Sequence, residues 1–412
     1  MKTSSPPRLG ARVAVFTLIR SVLNTSYRMV YPYLSLFQSG LGVGLPAISL
    51  VLSLRSLIAF AGPFLSPIAD RFGRRVGMLL GMGVFTIGAL TVVLLPTYTG
   101  FAISLPLMAL AYIIFLPAMQ AYLGDRVAYE RRGRVMGITE LSWSLSFIIG
   151  VPLVGVLLGR SGAWQSPFLP LALLGGLSMV AVWRILPPDG RRAVPAGHSA
   201  VPSLPFGILL RSAPARAGLL TILLLTAANE TVNLVFGLWL EQRFNFQLAA
   251  LGAAALLIGI SEMGGEGLSA ALVDRLGKVW SVRAGLLVNM LAAVVMFILG
   301  GQAWGALAGL FLFYLSFEFS LVSLLPLMSE ALPALRATVM ASTLAMAALG
   351  RAIGTQFAPL LFNGVGIGGN LIAALAMNLL AIWLVRQVRV NEAAAAVTPP
   401  IRRTTLGEDG RE

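Results

Sequence analysis

The chain has 412 residues, of which 57% are hydrophobic and 11% charged, and its mean hydropathy is +0.86. That excludes a soluble domain and points to a polytopic membrane protein. The absence of cysteine excludes disulfides and thiolate metal sites, and a single histidine, His198, leaves no basis for zinc chemistry.

Apolar runs of membrane-crossing length predict an all-α chain of twelve spans. Six fall at roughly 13–37, 47–68, 76–95, 101–123, 135–158 and 164–186. Pro187, Pro188, Pro195, Pro202, Pro205 and Pro214 then interrupt the pattern. Six more fall at roughly 218–240, 250–273, 281–300, 304–327, 338–361 and 370–388. Residues 1–186 therefore read as one six-helix bundle and 218–390 as another, with a linker over 187–217 and a polar, disordered tail over 391–412. The first run contains Arg20 and Arg28 and is long enough to span, so it reads as a retained helix rather than a cleaved signal. His198 reads as a solvated linker residue.

The formal charge of +14 is first a statement about topology. Of 30 Lys and Arg, 24 fall in the tails, the linker and alternate loops, two (Arg160 and Arg243) fall on the opposite side, and four lie inside spans. Cytoplasmic loops carry the basic excess, so both termini and the linker are predicted to face the cytoplasm of a bacterial inner (plasma) membrane. Anionic lipid headgroups are the expected partners of this surface, and nucleic acid is not.

The chain is also duplicated. Asp70-Arg71-Phe72-Gly73-Arg74 returns 204 residues later as Asp274-Arg275-Leu276-Gly277-Lys278, and Arg132-Gly133-Arg134-Val135-Met136-Gly137 returns at the same interval as Arg336-Ala337-Thr338-Val339-Met340-Ala341. The hinge at Asp70, Arg71, Gly73, Arg74 and Arg75 resembles the hallmark segment of the major facilitator superfamily. Ser66 and Ala270 stand where that segment usually begins with glycine, and Lys278 replaces its first arginine. Glu140-Leu141-Ser142-Trp143 and Gly150-Val151-Pro152-Leu153-Val154-Gly155 resemble the bacterial drug and sugar efflux branch, although Val151 separates a usually adjacent Gly-Pro pair. The resemblance implies two six-helix bundles related by pseudo-two-fold symmetry. It also implies a cytoplasmic latch at Asp70, Arg71, Gly73, Arg74 and at Asp274, Arg275, Gly277, with Asp70 near the start of helix 11 and Arg336. A simple turn and headgroup anchor, with Gly73 free to take positive φ, is the alternative.

Within the spans the charges sort by half. Arg20, Arg28 and Arg55 lie in the first, and Glu230, Glu262, Glu266, Glu318 and Arg351 in the second. Each costs roughly 2.5–3.5 kcal/mol at the bilayer centre, so they must pair, protonate or face water. Arg20, Asn24, Arg28 and Tyr31 share a face of helix 1 beside Tyr27, while Thr226, Glu230 and Asn233 form a similar stripe on helix 7. These residues, with Arg55 and Arg351, are the candidate substrate contacts; Glu230, Glu262 and Glu318 are the candidate proton carriers, and Glu266 a supporting residue. The alternative is structural ion pairing, for instance Arg351 with Glu262 or Glu318. Glu140 lies near the helix 5 entrance, where it either serves in proton coupling or pairs with Arg126 or Arg134. Tyr112, Phe115, Met119 and Tyr122 share a face of helix 4 and either touch substrate or simply pack.

No nucleotide-binding loop, metal cluster or nucleophile constellation occurs, so neither an enzyme nor an ATP-driven pump is expected. The predicted function is transport by a monomer through alternating access, driven by a proton gradient without other cofactors. Protonation of Glu230, Glu262 or Glu318 is expected to loosen its hold on Arg28, Arg55 or Arg351. Proton-coupled efflux of an amphipathic small molecule is the first reading, and symport or uniport of an organic anion the second. A non-transporting sensor and a lysolipid flippase are more distant alternatives.

Overall fold

The computed structural model describes residues 9–62, 72–187, 211–332 and 335–388. These residues are helical, with no strand among them. Asp70, Arg71, His198, most of the linker and the tail lie outside them.

Span 1 comprises α1 (Leu9–Arg28) and α2 (Leu34–Leu41), and span 2 is α3 (Leu45–Leu57) continued by a 3-10 turn. Spans 3 and 4 are α4 (Arg74–Leu94) and α5 (Tyr98–Arg126). Span 5 contains α6 (Tyr129–Glu140), α7 (Ser142–Leu145), a π turn at Ser146–Gly150 and α8 (Val151–Ser161), and span 6 is α9 (Phe168–Ile185). In the second half, α10 (Ala213–Asn233) and α11 (Phe236–Phe244) form span 7, and α12 (Leu248–Leu276), α13 (Lys278–Leu299), α14 (Ala303–Ala331), α15 (Arg336–Val365) and α16 (Ile367–Val385) are spans 8 to 12. Ten spans among the described residues are long and apolar enough to cross a membrane, with α6 to α8 counting as one and α10 with α11 as another. The α1 helix is diluted below that standard by Arg12, Arg20 and Asn24, and the chain bends by 110° between α2 and span 2.

Three helices predicted as continuous are broken. Span 1 stops at Arg28 because Pro32 has no N–H for the Arg28 carbonyl and its ring crowds that oxygen. Span 5 widens where Pro152 leaves the Ile148 carbonyl without its usual donor, and the Val151 N–H reaches back five residues to Ser146. Span 7 also breaks, after Asn233, at the position equivalent to the span 1 break under the 204-residue shift.

Packing repeats across the halves. Span 3 packs on spans 4 and 6, as span 9 packs on spans 10 and 12. Span 2 meets span 11 and span 5 meets span 8, and the shift that carries 2 onto 8 and 5 onto 11 exchanges these two contacts. That exchange is the pseudo-two-fold axis. In lipid, helices gain little from the hydrophobic effect and rely on close approach through small residues. A Cβ on Gly237 would meet the backbone of Tyr31 and Pro32, and one on Gly259 would meet Phe147 and Ile148 at 2.9–3.0 Å. Both contacts join the halves, and both lie in the part of the spans remote from the basic loops. Toward the basic loops, span 8 meets span 5 along α7 and beyond, whereas α6 packs instead on α1 and α5. Among the described residues, the close contacts between the halves lie on the remote side.

Candidate functional site

The α1 stripe turns out to be a row of anchors. Both Nη atoms of buried Arg20 donate to Glu140, at 2.8 Å each, with Thr139 at 3.2 Å and Tyr112 at 3.4 Å. Glu140 therefore does not pair with Arg126 or Arg134: α6 lies against α1, and Arg126 stacks on Tyr122 instead. One turn along, Asn24 donates to Ser142 at 3.2 Å. One turn further, Arg28 donates to both oxygens of Glu262 at 2.8 and 2.5 Å and to the Trp143 carbonyl at 3.2 Å. Its guanidinium lies 3.4 Å from the Phe147 ring centre and 4.4 Å from that of Trp143. Among the described residues this is the ion pair that joins the halves; those of Arg20, Arg74 and Lys278 stay within one half.

A second chain of contacts crosses nearby. Arg55 donates to the Tyr27 carbonyl at 2.5 Å and to the Tyr31 hydroxyl at 2.7 Å, and stacks 3.7 Å from the Tyr27 ring centre. The break at Pro32 leaves Tyr31 aimed at span 7, where its hydroxyl donates to Glu230 at 2.5 Å. Asn233 and Thr355 also donate to Glu230, both at 3.3 Å, and Tyr314 donates to Asn233 at 2.7 Å. Thr226 lies against Gly350 of span 11 as Glu230 lies against Gly354, but its hydroxyl returns to the carbonyls of Ile222 and Leu223.

The remaining charges are less committed. Arg28 occupies Glu262, so the pairing of Arg351 with Glu262 does not form. Arg351, half-buried, makes no ion pair or side-chain hydrogen bond with the described residues. Glu318 is buried between spans 8 and 10, where a Cβ on Gly265 would lie 3.0 Å from its own Cβ, and its Oε2 has no donor. Half-buried Glu266 faces Glu262, Glu140 and Ser144. No cluster of His, Cys, Asp or Glu among the described residues is arranged to hold a metal ion.

Around the hinges, Gly73 has φ 102° and Gly277 φ 83°, values that an L side chain resists. The basic residue after each glycine pairs with a carboxylate at the end of the helix after next: Arg74 with Asp125 at 3.6 Å, and Lys278 with Glu330. Asp274 and Arg275 are exposed, and Arg336 donates to the Ser329 carbonyl at 2.9 Å. On helix 4, Phe115 and Met119 are core, Tyr122 accepts from Arg12 at 3.0 Å, and Tyr112 reaches Arg20. Gly150 and Gly155 seat span 1 against span 5, through Thr25 and Tyr33.

The sequence reading did not single out Thr139, Phe147, Tyr314 or Thr355. Tyr314 precedes Glu318 by four residues, Thr355 follows Arg351 by four and Phe147 follows Trp143 by four, so helical spacing alone put each on a marked face. A search led by charge passes over them.

Comparison with known proteins agrees with this architecture. Residues 16–355 match the family model described as Major Facilitator Superfamily. An uncharacterized MFS-type transporter of Bacillus subtilis, YwfA, is 37% identical over 122 residues, 29% of each chain. The multidrug transporter MdfA of Yersinia pestis is 30% identical over 125 residues, 30% of each chain, so the matched segment spans under a third of either relative. A bacterial homologue of the human lysosomal transporter Spinster, solved inward-facing and unoccupied, superposes with a TM-score of 0.72 at 14% identity, over 95% of this chain and 96% of that one.

Proposed function

The chain belongs to the Major Facilitator Superfamily and is a multi-pass membrane transporter of small molecules rather than an enzyme, and from that premise we propose that it exports an amphipathic small molecule in exchange for protons. The moving bodies are residues 1–186 and 218–390, and the basic side is the cytoplasmic face of a bacterial inner membrane. The distribution of basic residues supports that orientation. The similarity to MdfA supports efflux.

The observation that carries the reading is the buried Arg28–Glu262 pair, because it joins the halves and one of its partners can be neutralised by a proton. Removing one charge of a buried pair while the other stays costs about 3–5 kcal/mol. Protonation of Glu262 therefore discharges the strongest electrostatic link holding the remote side shut and lets the bundles rock. Glu230 offers a second link through Tyr31, where an added proton displaces one of three donors. When the remote side opens, the hinges at Asp70, Arg71, Gly73 and Arg74 and at Asp274, Arg275 and Gly277 latch the cytoplasmic side. A second reading, symport or uniport of an organic anion, draws on the uncommitted guanidinium of Arg351.

The test is proton flux in proteoliposomes under an imposed pH gradient, with a compound panel, for the parent and for Glu230→Gln, Glu262→Gln and Glu318→Gln. Each variant is first shown to be folded and inserted. Glu262→Gln is expected to abolish substrate-linked proton movement while substrate still binds. Coupled flux that survives in all three variants would overturn the assignment of coupling to these carboxylates.

A further inference from the structure

We infer that the remote side of the second half carries a binding site for one anionic phospholipid, a phosphatidylglycerol whose phosphate meets Arg243. The site is a groove of about 430 Å³ where the ends of spans 7, 9 and 11 meet the start of span 12. Its floor is buried Trp239, Met296, Phe362 and Leu371, and exposed Phe297 and Val365 form its lips. No described residue of the first half lines it, so the groove stands apart from the path between the bundles.

Depth in the membrane identifies the occupant as a lipid. Trp304, 62% exposed, is the second residue of span 10 and lies three residues past Gly301 of the groove; an exposed tryptophan at a span end sits at headgroup level. Beside the lips the outward surface is apolar, with Ile298 and Ile372 exposed as well. A groove of this volume suits a drug-sized group, here the phosphoglycerol end of a lipid. The acyl chains run outside it, over Phe297 and Val365.

Charge identifies the headgroup. Arg243 is the one ionisable residue in the lining, is exposed, and makes no ion pair with the described residues. Glu241, two residues earlier, turns away to accept from Ser35 of the first half. The start of α16 opens on the same groove without a side-chain cap, adding peptide N–H groups to the guanidinium. A phosphodiester satisfies both, because its two free oxygens match the guanidinium fork. The ammonium of phosphatidylethanolamine finds no carboxylate in the groove, whereas the hydroxyls of phosphatidylglycerol find the Gln242 amide. The site also bears on the contact between the halves. Gly237 and Glu241 meet Tyr31, Pro32 and Ser35, and Trp239 and Arg243 lie about 200° round the same helix, so a bound headgroup braces α11 from behind.

Hydrogen exchange of the full-length protein in nanodiscs tests this, with phosphatidylglycerol compared against phosphatidylethanolamine. A lipid at about ten times its Kd suppresses local opening about tenfold, so the amides of 299–302 and 366–369 should exchange about tenfold more slowly in phosphatidylglycerol. The difference should vanish in Arg243→Gln, which removes the charge. It should vanish equally in Gly301→Leu, which keeps the charge and fills the groove, since a Cβ at Gly301 lies 3.6 Å from Arg243 Nη2. Arg160→Gln, at the other basic residue of this side, should leave it unchanged, which separates a site from a general response to charged membranes. All three positions are exposed, and parent-like exchange in buried α10 shows that each variant is folded. Equal exchange in the two lipids overturns the inference, as does a difference that survives both Arg243→Gln and Gly301→Leu. Protection by glycerol 3-phosphate added to phosphatidylethanolamine nanodiscs would give the groove to a soluble phosphate and overturn the lipid. None of these outcomes depends on proton coupling or on what is exported.

Discussion

The two halves share a helix order and a packing plan but treat their charges differently. In the first half, Arg20, Arg28 and Arg55 are enclosed by carboxylates, carbonyls and aromatic faces, and their positions are fixed. In the second, the buried Glu318 Oε2 has no donor and Arg351 makes no ion pair with the described residues. A half whose buried arginines are each held through both Nη atoms is a frame; a half with a buried carboxylate oxygen left without a donor is where a ligand or a proton changes the energy. Duplication supplied the frame twice, and the charges that diverged between the copies divide the labour.

The sharpest way to break that division is to open the frame. Arg28→Met leaves Glu262 buried without its cation and is expected to cost about 3–5 kcal/mol, read as a fall in melting temperature of the purified protein. Adding Glu262→Leu should recover most of that stability while proton-coupled transport stays lost. If the double variant still couples, the pair is structural and the contrast between the halves fails.

A smaller effect is expected at Tyr31, whose hydroxyl links Arg55 to Glu230. Tyr31→Phe removes one donor and one acceptor from buried partners, for about 1–3 kcal/mol. Because Thr355 and Asn233 remain on Glu230, transport should slow rather than cease. The smallest effect is expected at Glu140. Its carboxylate is half exposed, so water screens the pair and Glu140→Gln should lower stability by less than about 1 kcal/mol, read as a small fall in melting temperature. A fall as large as that of Arg28→Met would show that the Arg20 pair bears load as the inter-half pair does.

Much of the fold was legible because the membrane imposes a length on every apolar run, and twelve such runs are hard to mistake. Span 1 was legible only in outline: Arg20, Asn24 and Arg28 marked a stripe, but the consequence of Pro32, which turns Tyr31 toward span 7, needed the tertiary contact to be seen. Charge sorting between halves was likewise visible, yet the pairing was not. Arg28 and Glu262 are 234 residues apart, and no local rule favours that match over Arg351 with Glu262. Glu140 misled because Arg126 and Arg134 are near in sequence while Arg20 is near in space. The 204-residue shift held the missing information, since it fixes which spans exchange under the two-fold.

The π turn at Ser146–Gly150 holds one residue more than an α turn would. A residue in an α-helix subtends about 100°, so the surplus is a wound-up rotation lodged midway along span 5. Were that residue to pass into the flanking α-helix, everything between the turn and Tyr129 would swivel by that amount about its own axis while α8 stayed seated on span 8. Trp143, Ser142 and Glu140 all ride on the swivelling side. Span 5 can therefore behave as a screw as well as a lever, re-aiming the side chains that face Arg28 and Arg20 without any displacement of its axis.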